Sequence, residues 1–565
     1  MRVTILDGYV DEPTCLGVPP YISPYPRYIA GAIWTSDPET SIQYLTIDQL
    51  RATPALQKTL EDSDLIVAIA GMVVPGRYLA GHPANPNELA TLLHNTKAVT
   101  MLCGPAARYG FGVSGGRRTT TPTDTNFDLI VTGDPELAVH DLLKNNLAVD
   151  DINPTRCRKS AKDIRTFALL GAQIVTQHPF FPQHLITEIE TYRGCPRSIT
   201  GGCSFCSEPQ KGPPQFRPPI DIHAEIQALH MTGIRHVRIG NQPCIFSYMA
   251  KTAGKDEVPR PNPEALETLF SGIHRVAPDL KTLHIDNANP GVLARYPDEC
   301  REIAGTIVKY HTSGDVAALG VESVDPTVIE ENNLKASAED VTAAIRLLNE
   351  VGGARGASGL PELLPGLNFV FGLKGETKHT FTMDYEFLKG LYDQGLMLRR
   401  INLRQVMPLP GTPMETVGEM NVRKHHGLFL QFKRRVRETL ERPMLERLIP
   451  HGTVLRDVYL ELYEGKVTFG RQMGTYPLLV GIPGVFPLDS FHDVKVIAHG
   501  YRSITAVPYP LDVNTAPRET LEALPGIGRK RAQRLLFKRP FSSVEQAMAV
   551  LDDDQVASML RAYLV

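Results

Sequence analysis

The chain has 565 residues, 42% of them hydrophobic and 21% charged, with a formal net charge of −3. That length asks for two to four domains, and the mild acidity excludes a global pull on nucleic acid, so any such binding needs a local patch. No apolar run approaches the roughly 20 residues that span a bilayer, the opening "MRVTILDGYVDEP" lacks a signal-peptide core, and eight cysteines are too few for a disulfide scaffold. The expectation is a cytoplasmic protein with no membrane partner.

Residues 1–150 alternate strand and helix. "RVTILDG", "SIQYLTI", "DLIVAIAGMVV", "AVTMLCG" and "FDLIVTG" are short β-rich runs, with helical stretches such as "NPNELATLLHN" and "PELAVHDLL" among them. The pattern predicts an α/β, Rossmann-like domain on a parallel sheet. Ligands of such sheets sit at the strands' carboxyl ends, and Gly8, Gly71, Gly104 and Gly133 fall there. Residues 151–184 read as a linker. From 185 to 418 six further βα units follow, with strands "LITEIETY", "HVRIGN", "TLHIDNAN", "VAALGVES", "LNFVFGL" and "RINLRQVMPL". Periodicity alone does not choose between an open barrel and a doubly wound sheet. Ser337, with Asp340 three residues on, predicts a helix N-cap. Residues 419–452 read as a basic helical connector, 453–510 as a small OB/TRAM-like β-barrel punctuated by Gly and Pro, and 511–565 as helical.

The stretch "TYRGCPRSITGGCSFCSEP", residues 191–209, places Cys195, Cys203 and Cys206 within twelve positions, directly after the strand that opens the third region. A structural zinc site wants four ligands and a disulfide wants two. Three soft thiolates leave one metal position open, a mark of catalysis. Cys244 and Cys300 read as plain buried cysteines. The stretch from about 185 to 415 resembles the radical S-adenosylmethionine (SAM) superfamily, in which three cysteines hold a 4Fe–4S cluster whose free iron binds SAM. The "C-S-F-C" end matches that family, and the resemblance makes Phe205 the aromatic packed near SAM. The spacing departs from it: seven residues separate Cys195 from Cys203, where three are usual. The resemblance implies a partial (β/α)6 barrel. It also implies SAM contacts at Gly240 and Asn241 of "IGNQP", at Glu322 and Ser323 of "LGVES", and at Lys335, with Lys374 standing where Pro is usual. An electron donor such as ferredoxin or flavodoxin goes with such chemistry.

The N-terminal region resembles the cobalamin-binding domains fused to such barrels, with "VTGDPELAVHDLL" like their last strand–turn–helix; the Asp-x-His-x-x-Gly motif that gives cobalt a histidine is missing. A rival resemblance, to methylthiotransferases with a second cluster, would use Cys15, Cys103 and Cys157, but their opening motif is absent. "PRETLEALPGIGRKRAQRLL" resembles a helix-hairpin-helix, in which Gly526 and Gly528 open backbone amides to phosphate and Arg529, Lys530 and Arg534 add charge. The whole resembles an archaeal group of radical SAM proteins. It implies a cobalamin-dependent methyltransferase acting on a macromolecule, with RNA such as tRNA favoured over a protein residue such as a glutamine of methyl-coenzyme M reductase. A nucleic-acid-binding protein with an inactive barrel is the reading from another class.

Overall fold

The structure, a computed structural model, describes every residue except 13–14, 73–80, 114–117, 121–126 and 565, and only the backbone of 12, 15, 113 and 118. Five parallel strands form the N-terminal sheet: β1 (Arg2–Asp7), β2 (Ser41–Thr46), β3 (Leu65–Ile69), β4 (Val99–Cys103) and β5 (Leu129–Ile130), in the order β5-β4-β3-β1-β2. All five sequence runs are recovered. β3 is buried along its whole length, as a strand covered on both faces must be.

The central region is the expected partial barrel. Its parallel strands are β6 (Ile186–Glu190), β7 (His236–Gly240), β8 (Thr282–His284), β9 (Asn287–Ala288), β10 (Asp315–Glu322), β11 (Leu363–Phe371) and β12 (Arg400–Gln405). They run as a three-stranded and a four-stranded sheet that meet at the broken third strand, β8/β9. The first sheet gains a member that sequence did not suggest: Tyr21–Ile22, from within the N-terminal region, pairs with Ile186–Thr187 on the barrel's open edge. Helix Ala338–Gly352 carries the full capping box between Ser337 and Asp340.

The segment 151–184, expected as a linker, is a packed bracket. Its helix Arg165–Gly171 lies on helix Pro24–Ser36. They cross so closely that a Cβ on Gly31 would fall 1.9 Å from the Phe167 carbonyl oxygen and one on Gly171 1.7 Å from that of Arg27. Only glycine permits that approach.

The small barrel is closed: β13 (Val454–Glu464), β14 (Val467–Gln472), β15 (Leu479–Pro483), β16 (Phe491–His499) and β17 (Ser503–Pro508) run β13-β14-β15-β17-β16, with β15 and β17 parallel and the other pairs antiparallel. It seats under the amino-terminal ends of the central strands. Thr475 N donates to His284 Nδ1 at 2.9 Å, Tyr21 Oη to the Gly474 carbonyl at 2.9 Å, and Tyr476 Oη to Asp286 Oδ1 at 2.8 Å. Above Tyr476 the barrel interior holds a charged layer. Arg238 bonds Glu188 at 2.5 Å and Asp286 at 2.6 Å, all three at most 1% exposed. Beyond the small barrel, helices Arg518–Ala523 and Gly528–Lys538 pack as a pair on an apolar core that takes in Ile497 and Val507 of the small barrel.

Candidate active site

The cysteine loop leaves the carboxyl end of β6 and is pinned at its neck. Tyr192–Arg193 pairs antiparallel with Gln215–Phe216, and Cys195 N donates to the Gly212 carbonyl at 3.0 Å. The residues that lengthen the Cys195–Cys203 spacing have a task. They coil into the short helix Pro196–Thr200, which turns Arg197 back so that Nη1 donates to Cys203 Sγ at 3.2 Å and to the Asn333 carbonyl at 2.8 Å. Asn332 accepts from Ser204 Oγ at 2.7 Å, and Asn333 Nδ2 donates to the Gly202 carbonyl at 2.9 Å. The loop is thus tied to the segment after β10.

Cys203 acts electrostatically on both Cys195 and Cys206, and Cys195 acts on Cys206. Burial, then this mutual repulsion, pushes the Cys195 thiol up to about 11 and Cys206 higher still. Ligation has to displace those protons. Among the described residues no three His, Cys, Asp or Glu side chains close on a single-ion site. A cuboidal cluster, whose thiolates sit on different irons, asks for a wider spacing, and three thiols on a pinned loop fit it. Phe205 packs with Cys203, Cys206, Leu334 and Met414 in one apolar cluster under the loop.

Opposite the thiols, a β-bulge between Gly320 and Glu322 re-aims the Glu322 carboxylate, and Glu322 takes the left-handed region at φ 68°. Lys335 Nζ stands 3.8 Å from it. A Cβ on Gly320 would meet that ammonium at 2.4 Å and the carboxylate at 2.5 Å, so glycine makes room for the pair. Burial opposes the Lys335 charge, but Cys203, Glu322 and Cys206 together hold its pKa above the ordinary lysine value. A carboxylate and an ammonium side by side, next to the thiols, suit the amino and carboxylate groups of SAM.

Other expected contacts land differently. Ser323 Oγ donates to Asp384 at 3.1 Å and accepts from Asp325 N at 3.2 Å; its hydroxyl is spent inside the fold rather than presented to a cofactor. Gly240 is required by the Glu188–Arg238 pair, since a Cβ there would lie 2.1 Å from Glu188 Oε1. Asn241 takes φ 53° and bonds Glu190 Oε2 at 3.2 Å, at the rim. Lys374 pairs with Glu331 on the surface. Cys244 and Cys300 are buried, as expected.

The N-terminal sheet turns its carboxyl ends toward this rim. Met72 after β3 and Tyr109 after β4 share one buried cluster with Leu409, which follows β12. Asp134, after β5, accepts from Arg193 Nη1 two residues before Cys195, and Arg158 of the bracket joins Glu190 at 2.8 and 3.0 Å with Glu136 at 3.4 Å. The "VTGDPE" signature is therefore a docking hub. The glycines expected to admit a corrin are closed by the chain itself. A Cβ would strike the Ile69 oxygen at Gly8 (2.7 Å), the Tyr9 oxygen at Gly71 (2.6 Å), the Ala70 oxygen at Gly104 (2.7 Å) and the Arg156 oxygen at Gly133 (2.2 Å). They do not by themselves form a cobalamin cradle. Of the rival trio, Cys103 is buried and Cys157 exposed, and the Cys15 side chain lies outside the described residues. Sequence reasoning missed Arg158, Arg197 and Arg404. Arg404 acts on both Glu322 and Asp11 across the interface, and the polar alternation of "RINLRQ" on an inner strand face was its available signal.

In the C-terminal pair, Gly526 and Gly528 take φ 76° and 56° and are exposed, as are Arg529 and Lys530. Arg534 departs from its expected role: it pairs with Asp552 at 2.9 Å, which also holds Arg531 at 2.7 Å. No helix among the described residues is long and apolar enough to cross a membrane.

Residues 189–388 match the Radical SAM superfamily. The chain is 48% identical to the protein MJ0274 of Methanocaldococcus jannaschii over 89% of its own length and 92% of that protein's. It is 44% identical to a protein of Archaeoglobus fulgidus over 97% of both. Among solved structures it is similar to the cobalamin-dependent S-adenosylmethionine radical enzyme OxsB with aqua-cobalamin and S-adenosylmethionine bound, at 12% identity and TM-score 0.48, over 75% of this chain and 61% of that one. That likeness is too loose to carry a cofactor across. The chain belongs to one family with these two archaeal relatives and carries a radical SAM domain at its centre.

Proposed function

We propose that this radical SAM enzyme holds a 4Fe–4S cluster on Cys195, Cys203 and Cys206, and that Glu322 and Lys335 fix the amino and carboxylate groups of SAM. The cluster's chemistry, when bound, is one-electron cleavage of SAM to a 5′-deoxyadenosyl radical, fed by a donor such as ferredoxin or flavodoxin. The chain's own contribution is positioning: the pinned loop fixes the thiols, Arg197 donates to the Cys203 sulfur, and the docked N-terminal domain covers the rim against water. The further reading is methyl transfer to an unactivated carbon, with cobalamin between the two rims. One observation carries it: the carboxyl ends of both parallel sheets face each other across the Asp134–Arg193 contact, so a cofactor at the first would stand over the second. With SAM and a reductant, the anaerobically reconstituted protein is expected to release 5′-deoxyadenosine, and with cobalamin and substrate also S-adenosylhomocysteine. 5′-Deoxyadenosine without retained cobalamin or S-adenosylhomocysteine would remove methyl transfer and leave the radical enzyme standing.

The proposed substrate is RNA, docked through Gly526, Gly528, Arg529 and Lys530. Because the small barrel sits at the base and the cluster at the rim, that RNA has to be a folded one that reaches from one end to the other, such as a tRNA. Truncation after Pro510 should weaken RNA binding and lower its log–log salt slope by roughly two. Flat, weak isotherms for the full-length protein would move the substrate to a protein residue.

A further inference from the structure

Far from the cysteine loop, where the small barrel meets the amino-terminal end of β12, a cavity of ≈ 260 Å³ is lined by three arginines: Arg399, Arg400 and Arg502. Arg399 and Arg400 open the last barrel strand, and Arg502 comes from the turn between β16 and β17. The remaining wall is apolar or aromatic, including Met444, Leu445, Tyr476 and Tyr501, and Glu441 is the one carboxylate among its lining residues. Glu441 is shared: it lies 3.4 Å from Arg502 and 3.9 Å from Arg437. Asp286 is the next carboxylate acting on Arg400, but it is taken by Arg238 at 2.6 Å and Tyr476 at 2.8 Å.

The positive surplus is therefore uncompensated. Nε of Arg399 and Nε of Arg400 are buried without a hydrogen-bond partner among the described residues. Arg399 spends one Nη on the Tyr476 carbonyl at 3.2 Å, and the Arg400 guanidinium lies 3.8 Å from the centre of the Tyr476 ring. Burial first, then the neighbouring arginines, push both guanidiniums down to about 10. Unpaired, partly buried charge is costly, and an anion relieves it. Planar guanidinium forks match oxyanions two bonds at a time. The apolar far wall suits one terminal anionic group rather than a continuous polyanion track.

We propose that this cavity binds a phosphate-class dianion that bolts the small β-barrel to the base of the radical SAM barrel. It is independent of the substrate reading above. The test uses full-length, cluster-loaded protein and inorganic phosphate in calorimetric titration, with sodium chloride at matched ionic strength as reference. Phosphate should bind saturably and raise the melting temperature where chloride does not. Arg400→Gln and Arg502→Gln should each weaken phosphate about tenfold or more, the worth of a charge-assisted pair. Glu441→Gln removes the competing carboxylate at constant shape and should tighten phosphate several-fold, so the proposal stays testable if an arginine variant fails to fold. Equal shifts with phosphate and chloride, unchanged affinity in the arginine variants, or weaker binding in Glu441→Gln would overturn it. A short oligoribonucleotide should not displace phosphate; displacement would overturn the small-anion assignment in favour of an RNA phosphate.

Discussion

The two ends of the central barrel are built on opposite principles. At the carboxyl rim the backbone is strained and the charges are incompletely matched: Glu322 and Asn241 at positive φ, Lys335 3.8 Å from its partner, and the Cys195 and Cys206 thiols pushed up by burial. Near the base the inner charges are paired and sealed. Glu188, Arg238 and Asp286 form a buried chain capped by Tyr476, and His311 sits between Asp315 at 3.1 Å and Glu362 at 3.4 Å. Strain and loose pairing mark where ligands complete the structure; closed pairing marks where the fold holds itself. Arg399 and Arg400 break the pattern at the base, which is why they point to an occupant.

The comparison can be broken most sharply at the rim. Cys203→Ala should abolish 5′-deoxyadenosine formation and cut iron content while the thermal midpoint of the apoprotein stays near wild type. An unfolded variant, or one that still cleaves SAM, would contradict the division. At the base the reverse holds: Arg238→Ala leaves Glu188 and Asp286 buried without their cation and should cost about 3–5 kcal/mol in denaturant titration. A loss below about 1 kcal/mol would show that the layer behaves as a solvent-screened pair and not as a buried one.

His311 gives the base a pH signature. Burial opposes its charge, but pairing with Asp315 and Glu362 wins and raises it from 6.5 to about 9. The folded value lies above the unfolded one, so this stabilisation is complete below about pH 6.5 and is lost as pH rises through 9, up to about 3 kcal/mol. His311→Gln should flatten stability between pH 6 and 10, relative to wild type; an unchanged slope would assign the effect elsewhere. The smallest effect is expected from Arg197→Gln, which removes the donor to Cys203. Outer partners of metal ligands typically contribute about 10–100-fold in affinity. The cluster should therefore be lost faster to chelator, with a shifted reduction potential, while folding is retained. Identical chelator kinetics would make the longer loop a passive insertion.

Much of this architecture is legible in the chain. β-rich runs bounded by Gly and Pro locate the five N-terminal and six barrel strands, Ser337 and Asp340 mark their helix start, and three cysteines in twelve positions locate the chemistry, because spacing along one loop is a local property. What sequence could not reach depends on distant partners. Asp134 meets Arg193, Ser323 turns to Asp384, Arg534 turns to Asp552, Tyr21–Ile22 joins β6, and the rim glycines pack against their own chain. Each is decided by which element arrives next to which, and a glycine forced by a neighbouring carbonyl reads the same as one left open for a ligand. The sequence by itself determined the strands, the helix caps and the three thiols, since backbone periodicity and ligand spacing are short-range. Only the tertiary structure decided which charges are matched, because pairing energy depends on separation and burial, and neither is written along the chain.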